Sequence, residues 1–474
     1  MLGIIDILTT VGSLFVDDWF ELDTWIVVTA ALAAMGCSIP GSFLVLRRQS
    51  MMGDALTHTI LPGIVAAFLL SHALKASGWI TATPAGTHIA FDATSYAMMF
   101  VGAVLTGTLT AVLTEWVSRQ GRVETSAALG VVYTSLFAIG LLMIRLAADS
   151  VHIDPDCVLY GNIETVWTGS DEVPRATWIG GGALLLNIVL VSFFFKELRI
   201  STFDPALATS LGIHSTTIHY VLMAVTAITA VAAFESVGNI LVVAMLIVPP
   251  ATAHLLTDRL WLMLVLAALI AALSAALGHG LALTLPPLLM APFAEEPLLQ
   301  GVDVQSLDAS TSGMMAVAAG GLFTLALVLG PRHGLLVRLA HRLRLATRIA
   351  AEDLLGILYR HEEAAREPQL ERPAQPKTAV QRFARWRLRR RRLIDGPASD
   401  PSLTETGREA AQQLVRAHRL WESYMARHFD VPGDHLHEAA HRVEHFLDHE
   451  LRDQLADELE SPETDPHGRD IPQP

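Results

Sequence analysis

Long apolar runs, each bounded by a polar or charged cluster, fill the first 340 positions of this chain. A hydrocarbon core of about 30 Å is crossed by about 20 apolar helical residues. Runs of about that length lie at 25–46, 54–73, 96–118, 126–147, 177–195, 217–234, 237–257, 259–283 and 312–330. They predict nine membrane-spanning helices, or eight if 217–257 is a single element, because Glu235 and Gly238 set only a tight break within it. Beyond 340 the pattern becomes that of soluble helices. Residues 352–366 predict a helix, the three prolines of 367–377 a linker, 378–393 a basic helix, 394–402 turns, and Thr404 onward helix again. The expected fold class is all-α: a polytopic helical membrane part followed by a mainly helical soluble part.

Charge divides the chain at the same place. Residues 1–340 carry 12 Lys+Arg and 23 Asp+Glu, and residues 341–474 carry 21 and 24. Neither part has the basic excess that by itself marks nucleic-acid binding. A mean hydropathy of +0.42 with 52% hydrophobic residues excludes a disordered chain. Two cysteines, Cys37 and Cys157, provide no disulfide framework. The first 46 residues hold no Lys or Arg, so a secretory leader with a basic start is not expected. Arg47 and Arg48, Arg119 and Arg122, Lys196 and Arg199, Arg259, and Arg332 onward fall on alternate loops. The cationic bias assigns those loops to the cytoplasm, with the N-terminus outside and the tail inside.

Two apolar runs carry chemistry. In RRQSMMGDALTHTILPG (47–63), Asp54 and His58 stand four apart on one helical face, with His58 about 16 Å beyond the arginines. A carboxylate within a span is costly, so an ionisable pair there points to a functional site. Carboxylate and imidazole suit a divalent first-row transition metal. The alternative is an Asp–His hydrogen bond that only braces helices. In AFESVGNILVVAMLIVPPATA (233–253), Glu235 either borders a pathway with the Pro249-Pro250 pair or rests in the headgroup layer. None of the three lysines follows glycine in a GxxxxGK[ST] pattern, so this chain is not expected to bind nucleotide. Transport would draw on an ion gradient or on a separate ATPase.

The segment 47–63, TFDPALATSLGI (202–213), the 235–253 segment, and STSGMMAVAAG with PRHGLL (310–336) together resemble the membrane permease of bacterial zinc/manganese/iron ABC importers. The resemblance implies a bacterial inner-membrane permease that catalyses no covalent step. It would pair with a second permease subunit, alike or different, with P-loop ATPase subunits, and with an extracytoplasmic metal-binding protein. It makes Asp54 and His58 the intramembrane metal pair, while Glu235 remains a pathway candidate from the apolar-run reading alone. Phe203, Asp204, Pro205, Leu211 and Gly212 become part of the segment that docks on the ATPase. The acidic extension 1–24 and the long outer loops near 74–95 and 284–308 depart from the family pattern.

The tail holds seven histidines within 418–449. His437, His441, His445 and His449 recur every four residues with Glu438 and Glu444 beside them, predicting one imidazole and carboxylate stripe, or else a solvated histidine face. His418 and Glu422 form another such pair on the preceding helix. LTETG (403–407), AHRLWESYM (417–425), HEAAHRVEHFL (437–447) and DPHGRDIP (465–472) resemble the metal-binding and dimerisation domain of diphtheria-toxin-repressor-type regulators. That resemblance implies one site from His418, Glu422 and His437, and a second from His441, Glu444 and His445 with Asp353 of EDLLGILY. His441 departs from the Cys or Glu of relatives, and Gly356 from the carboxylate of manganese sensors. Residues 341–402 would be a degenerate winged helix and linker between the transmembrane domain 25–340 and the metal-binding domain 403–474. RFARWRLRRRRLID (382–395) would hold its recognition helix, yet the proline-rich run before it leaves little room for a helix-turn-helix. Specific DNA binding is therefore not expected, and the six arginines from Arg385 to Arg392 suit anionic membrane lipid equally well.

Together these readings give an ABC permease for Mn²⁺ or Fe²⁺, with Zn²⁺ as a further candidate, fused to a cytosolic domain for which the same class of ion is effector. The alternative is a membrane-tethered, metal-dependent DNA-binding regulator.

Overall fold

The computed structural model describes residues 20–77, 93–147, 163–167, 173–290, 292, 308–364, 378–397, 400–429 and 432–473. The acidic extension before Phe20, the middle of both long outer loops and the 367–377 linker lie outside the described residues. The chain forms two compact units, Met1–Leu335 and Leu336–Pro474.

The first unit is built from α1 (Glu21–Leu46), α2 (Ser50–Thr59), α3 (Leu61–Ala76), α4 (Ala93–Gly121), α5 (Thr125–Ala147), α6 (Arg175–Phe193), α7 (Phe195–Phe203), α8 (Pro205–Ser210), α9 (Ser215–Leu256), α10 (Leu260–Met290) and α11 (Thr311–Leu329). Nine helical stretches are long and apolar enough to cross a membrane, with α2 and α3 forming one and α9 supplying two. Helix α1 lies at the centre, packed against α6, α9 and α10. Its small residues Ala30, Ala33, Ala34, Gly36, Cys37, Ser38 and Gly41 are buried, which lets neighbouring backbones approach closely. Asn187 of α6 fastens that contact, donating from Nδ2 to Thr229 Oγ1 (2.8 Å) and to the Gly36 carbonyl (3.4 Å).

Helix α9 is two limbs. Its backbone breaks at Gly238, where φ is +75° and ψ 168°, a conformation essentially reserved for glycine. His219 neighbours Arg47, Thr229 neighbours Gly36, and Leu246 lies against Gly41. The contacts climb α1 and then descend it, so the chain reverses at the break. At the start of α1, Asp23 Oδ1 lies 3.0 Å from Nε2 of His279 of α10, whose Nδ1 lies 3.0 Å from Thr311 Oγ1 of α11. The Thr311 amide donates to Glu164 (2.9 Å) in the short turn Ile163–Thr165.

The second unit contains α12 (Leu335–Ala364), α13 (Ala379–Arg390), the two-stranded ribbon β1 (Ile394–Asp395) and β2 (Ser402–Leu403), α14 (Glu405–His428), α15 (Gly433–Val443) and α16 (His449–Glu458). Thr378 caps α13 in a reciprocal box with Gln381, and β1 pairs antiparallel with β2. This helix and ribbon pack against α12 and α14. Leu355, Leu358, Ala384, Leu388, Ile394, Leu403 and Ala411 make the core between them. Leu420, Ala456, Leu459 and Ile471 close the core of the final helices.

Candidate metal sites

Asp54 and His58 occupy successive turns of α2 with their facing atoms, Oδ1 and Nε2, 3.6 Å apart. Both side chains are only half-buried. Tyr133 and Phe137 of α5 flank the imidazole at ring-centre distances of 5.6 and 5.5 Å. The break at Gly238 delivers a residue that the sequence pattern did not single out. Asn239 is buried, its Nδ2 lies 3.2–3.3 Å from the His58 ring nitrogens, and its Oδ1 is a buried acceptor without a hydrogen-bond partner. An amide directly after a glycine inside an apolar run was the available signal. Glu235 lies on α9 three residues before the break, and its side chain is outside the description.

The predicted docking residues form an exposed elbow. Asp204 caps α8 by accepting from the Leu207 amide (2.9 Å), Pro205 opens the helix, and Gly212 closes it at φ +82°. Phe203, Leu207 and Leu211 are exposed on it. A cleft of about 700 Å³ runs between this elbow and Asp258, Arg259 and Trp261 at the α9–α10 junction. Arg47, read from sequence as a topology marker, holds the elbow from the other side. Its Nη2 donates to Ser201 Oγ (2.9 Å), its Nε to Thr202 Oγ1 (3.3 Å), and its Nη1 lies 3.3 Å from His219 Nδ1.

In the tail, two clusters gather. Asp353, His441, Glu444 and His445 each offer one ligand atom, all within 4.8 Å of one another. Two ligands on opposite sides of a first-row ion, at about 2.1 Å each, stand about 4.2 Å apart. His445 Nε2 and Asp353 Oδ1 are buried and form an ion pair at 3.1 Å, with Glu444 Oε1 3.7 Å from the same nitrogen. Such convergence of four potential ligand atoms fits an ion. The second cluster is His418, Glu422 and His437, with Glu422 Oε1 at 3.0 Å from His418 Nε2 and 3.1 Å from His437 Nδ1.

Glu444 touches both clusters: Oε1 lies 2.9 Å from His441 Nδ1 and Oε2 lies 2.6 Å from His418 Nδ1. Glu352, which sequence reasoning passed over beside Asp353, lies 2.9 Å from His445 Nδ1 through Oε2 and orients that ring. Burial opposes a proton on His445, but Asp353, Glu352 and Glu444 outweigh it and hold the imidazole up to about 9. His418 is raised in the same way, burial being overcome by Glu422 and Glu444.

The histidine stripe is not one helical face. Helix α15 ends at Val443, so His445 enters the first cluster from the turn beyond it, while His437 joins the second. His449 begins α16, where it pairs with Asp453 (2.8 Å) and stands exposed. The turn Glu444–Asp448 rotates the later histidines out of register with the earlier ones.

Nine apolar helices of membrane-spanning length, and a second unit that gathers two clusters of metal-ligating side chains, give the class: a polytopic membrane protein joined to a ligand-rich domain. Residues 20–287 match the ABC 3 transport family, to which the chain belongs, and residues 404–473 match the iron dependent repressor, metal binding and dimerisation domain. It is 40% identical over 324 residues to the manganese transport system membrane protein MntD of Bacillus subtilis, covering 67% of this chain and 95% of that one. To the zinc transport system membrane protein TroD of Treponema pallidum it is 38% identical over 318 residues, covering 66% and 75%. A probable metal transport system membrane protein of Chlamydia trachomatis is 26% identical over 458 residues, 94% of this chain and 95% of that one, so the likeness there runs through the tail. PsaBC from Streptococcus pneumoniae in complex with Fab aligns with a TM-score of 0.49 at 26% identity, covering 70% of this chain and 97% of that one. Membership of this multi-span family implies a plasma-membrane location.

Proposed function

We propose that this chain is the permease subunit of an ABC importer that moves a divalent transition metal, Mn²⁺ or Fe²⁺ ahead of Zn²⁺, into the cytoplasm. The observation that carries the reading is the meeting of Asp54, His58 and Asn239 at the chain reversal within apolar helices. A carboxylate, an imidazole and an unsatisfied amide oxygen make a borderline donor set for such an ion. The ion is cargo, held for part of a cycle and then released. Separate P-loop ATPases would dock on the Phe203–Gly212 elbow and its cleft, and an extracytoplasmic binding protein would deliver the metal. A second permease subunit would complete the pathway, and rocking of the two halves would expose Asp54 and His58 to each side in turn. The alternating cationic loops favour a cytoplasmic tail. There, Asp353, His441, Glu444 and His445, and separately His418, Glu422 and His437, would hold the same class of ion as an effector.

Uptake by the complex reconstituted with its ATPase in vesicles tests this reading, with Mn²⁺, Fe²⁺ and Zn²⁺ compared. ATP-dependent uptake should fall to background in Asp54→Asn and His58→Ala while the complex still assembles. Unchanged uptake in both variants would remove the assignment, and uptake driven by an ion gradient without ATP would replace it.

A further inference from the structure

Between α12 and α13 of the second unit runs a groove of about 900 Å³ into which Arg344, Arg348, Arg387, Arg390 and Arg391 project. Among the described residues no carboxylate lines it. Arg348 is engaged by Glu352, whereas Arg344, Arg387 and Arg391 make no ion pair among the described residues. Arg344, Arg387, Arg390 and Arg391 gathered in one concavity repel one another, so the arrangement is at its most favourable when an anion neutralises it. The rim is aromatic: Phe383 and Trp386 stack at 5.3 Å, both about half exposed, and the Arg390 guanidinium sits 5.3 Å from the Trp386 ring centre. Leu345 adds a further exposed apolar side chain.

We infer that this groove and its rim are a docking surface for the anionic phospholipid headgroups of the membrane in which the chain is anchored. Three observations select this occupant. The charge is complementary to phosphodiesters, with arginine forks suited to their paired oxygens. Exposed Trp and Phe beside arginines are the side chains that settle at a headgroup layer, apolar body inward and cation outward. The last apolar helix ends at Leu329 and α12 begins at Leu335, so a tether of a few residues keeps the local concentration of lipid headgroups high at this surface. Among the described residues no asparagine or glutamine lines the groove to read adenine edges.

The test uses the full chain in nanodiscs of phosphatidylcholine or of phosphatidylglycerol, with amide hydrogen exchange as the readout. Each arginine near an anionic surface contributes about a fivefold factor. Exchange across residues 341–348 and 379–391 should therefore slow at least about fivefold in phosphatidylglycerol. The variant Arg344→Gln/Arg387→Gln/Arg391→Gln should lose the slowing, with unchanged exchange in α14 showing that the unit is folded. Equal exchange in both lipids overturns the proposal. So does duplex DNA, added to phosphatidylcholine discs, that protects these residues as well as or better than phosphatidylglycerol does.

Discussion

On the proposed function, single side chains act at two levels, as donors to an ion and as supports for those donors. Glu352 is a support: its carboxylate meets His445 Nδ1 at 2.9 Å. Outer partners of a ligating histidine are worth about 10–100-fold in metal affinity. Glu352→Gln should weaken Mn²⁺ binding by the tail by about that factor, measured by titration of the full chain carrying Asp54→Asn so that the membrane pair is silent; an unchanged affinity would reduce Glu352 to a partner of Arg348 alone. On the same reading Asn239 is a further donor. Its unsatisfied Oδ1 beside His58 makes Asn239→Ala a loss of one ligand, expected to raise the half-saturating metal concentration for uptake about tenfold, near 1.4 kcal/mol. Asp54 and His58 could be singled out from sequence because ionisable groups in an apolar run stand out. Asn239 and Glu352 were not, since an amide in a long apolar run and a second acid beside Asp353 acquire meaning only when another element is brought against them.

Among elements, the two short helices α7 and α8 matter through what grips them. Arg47 ties Ser201 and Thr202 of α7 to the junction from which α2, with Asp54 and His58, departs. A hydrogen bond to a charged group is worth about 1.5–3 kcal/mol, so Arg47→Met should cut metal uptake per ATP hydrolysed on the order of tenfold or more. ATP hydrolysis itself should persist, because Phe203, Leu207 and Leu211 remain exposed for docking; equal losses of both activities would show that Arg47 merely holds the fold. At the α9 reversal, Gly238→Val forces a β-branched residue to φ +75° and should destabilise the protein by about 1–3 kcal/mol, read as a lowered thermal midpoint in detergent. The apolar runs made the spans legible, and Gly238 marked the break between two of them. The histidine period misled in the tail because a repeat of four specifies one face only while the helix lasts, and α15 stops at Val443.

For the whole molecule, the question is why a permease carries ligand clusters outside its membrane helices. An ion alters a protein's state only through a difference in its affinity for the two states. The tail clusters meet that condition in principle, because Asp353 comes from α12, Glu444 and His445 from the turn after α15, and His418 from α14, so a bound ion draws separate elements together. Helix α12 follows the last apolar helix after five residues, which gives a change in the tail a short covalent route toward the transport unit. Cytosolic metal would then fill the clusters, favour one pairing of the tails and slow further import, a feedback in which the cargo is its own sensor. The variant His441→Ala/Glu444→Gln/His445→Ala removes three donors of the first cluster and leaves Asp54 and His58 untouched. Cells carrying it should accumulate at least about fivefold more metal than wild type in metal-replete medium, the lower end of ordinary allosteric coupling. In metal-starved medium, where the clusters are empty in both, accumulation should be equal, as elemental analysis of washed cells would reveal. A variant that matches wild type in both media would mean that the tail binds metal without governing transport.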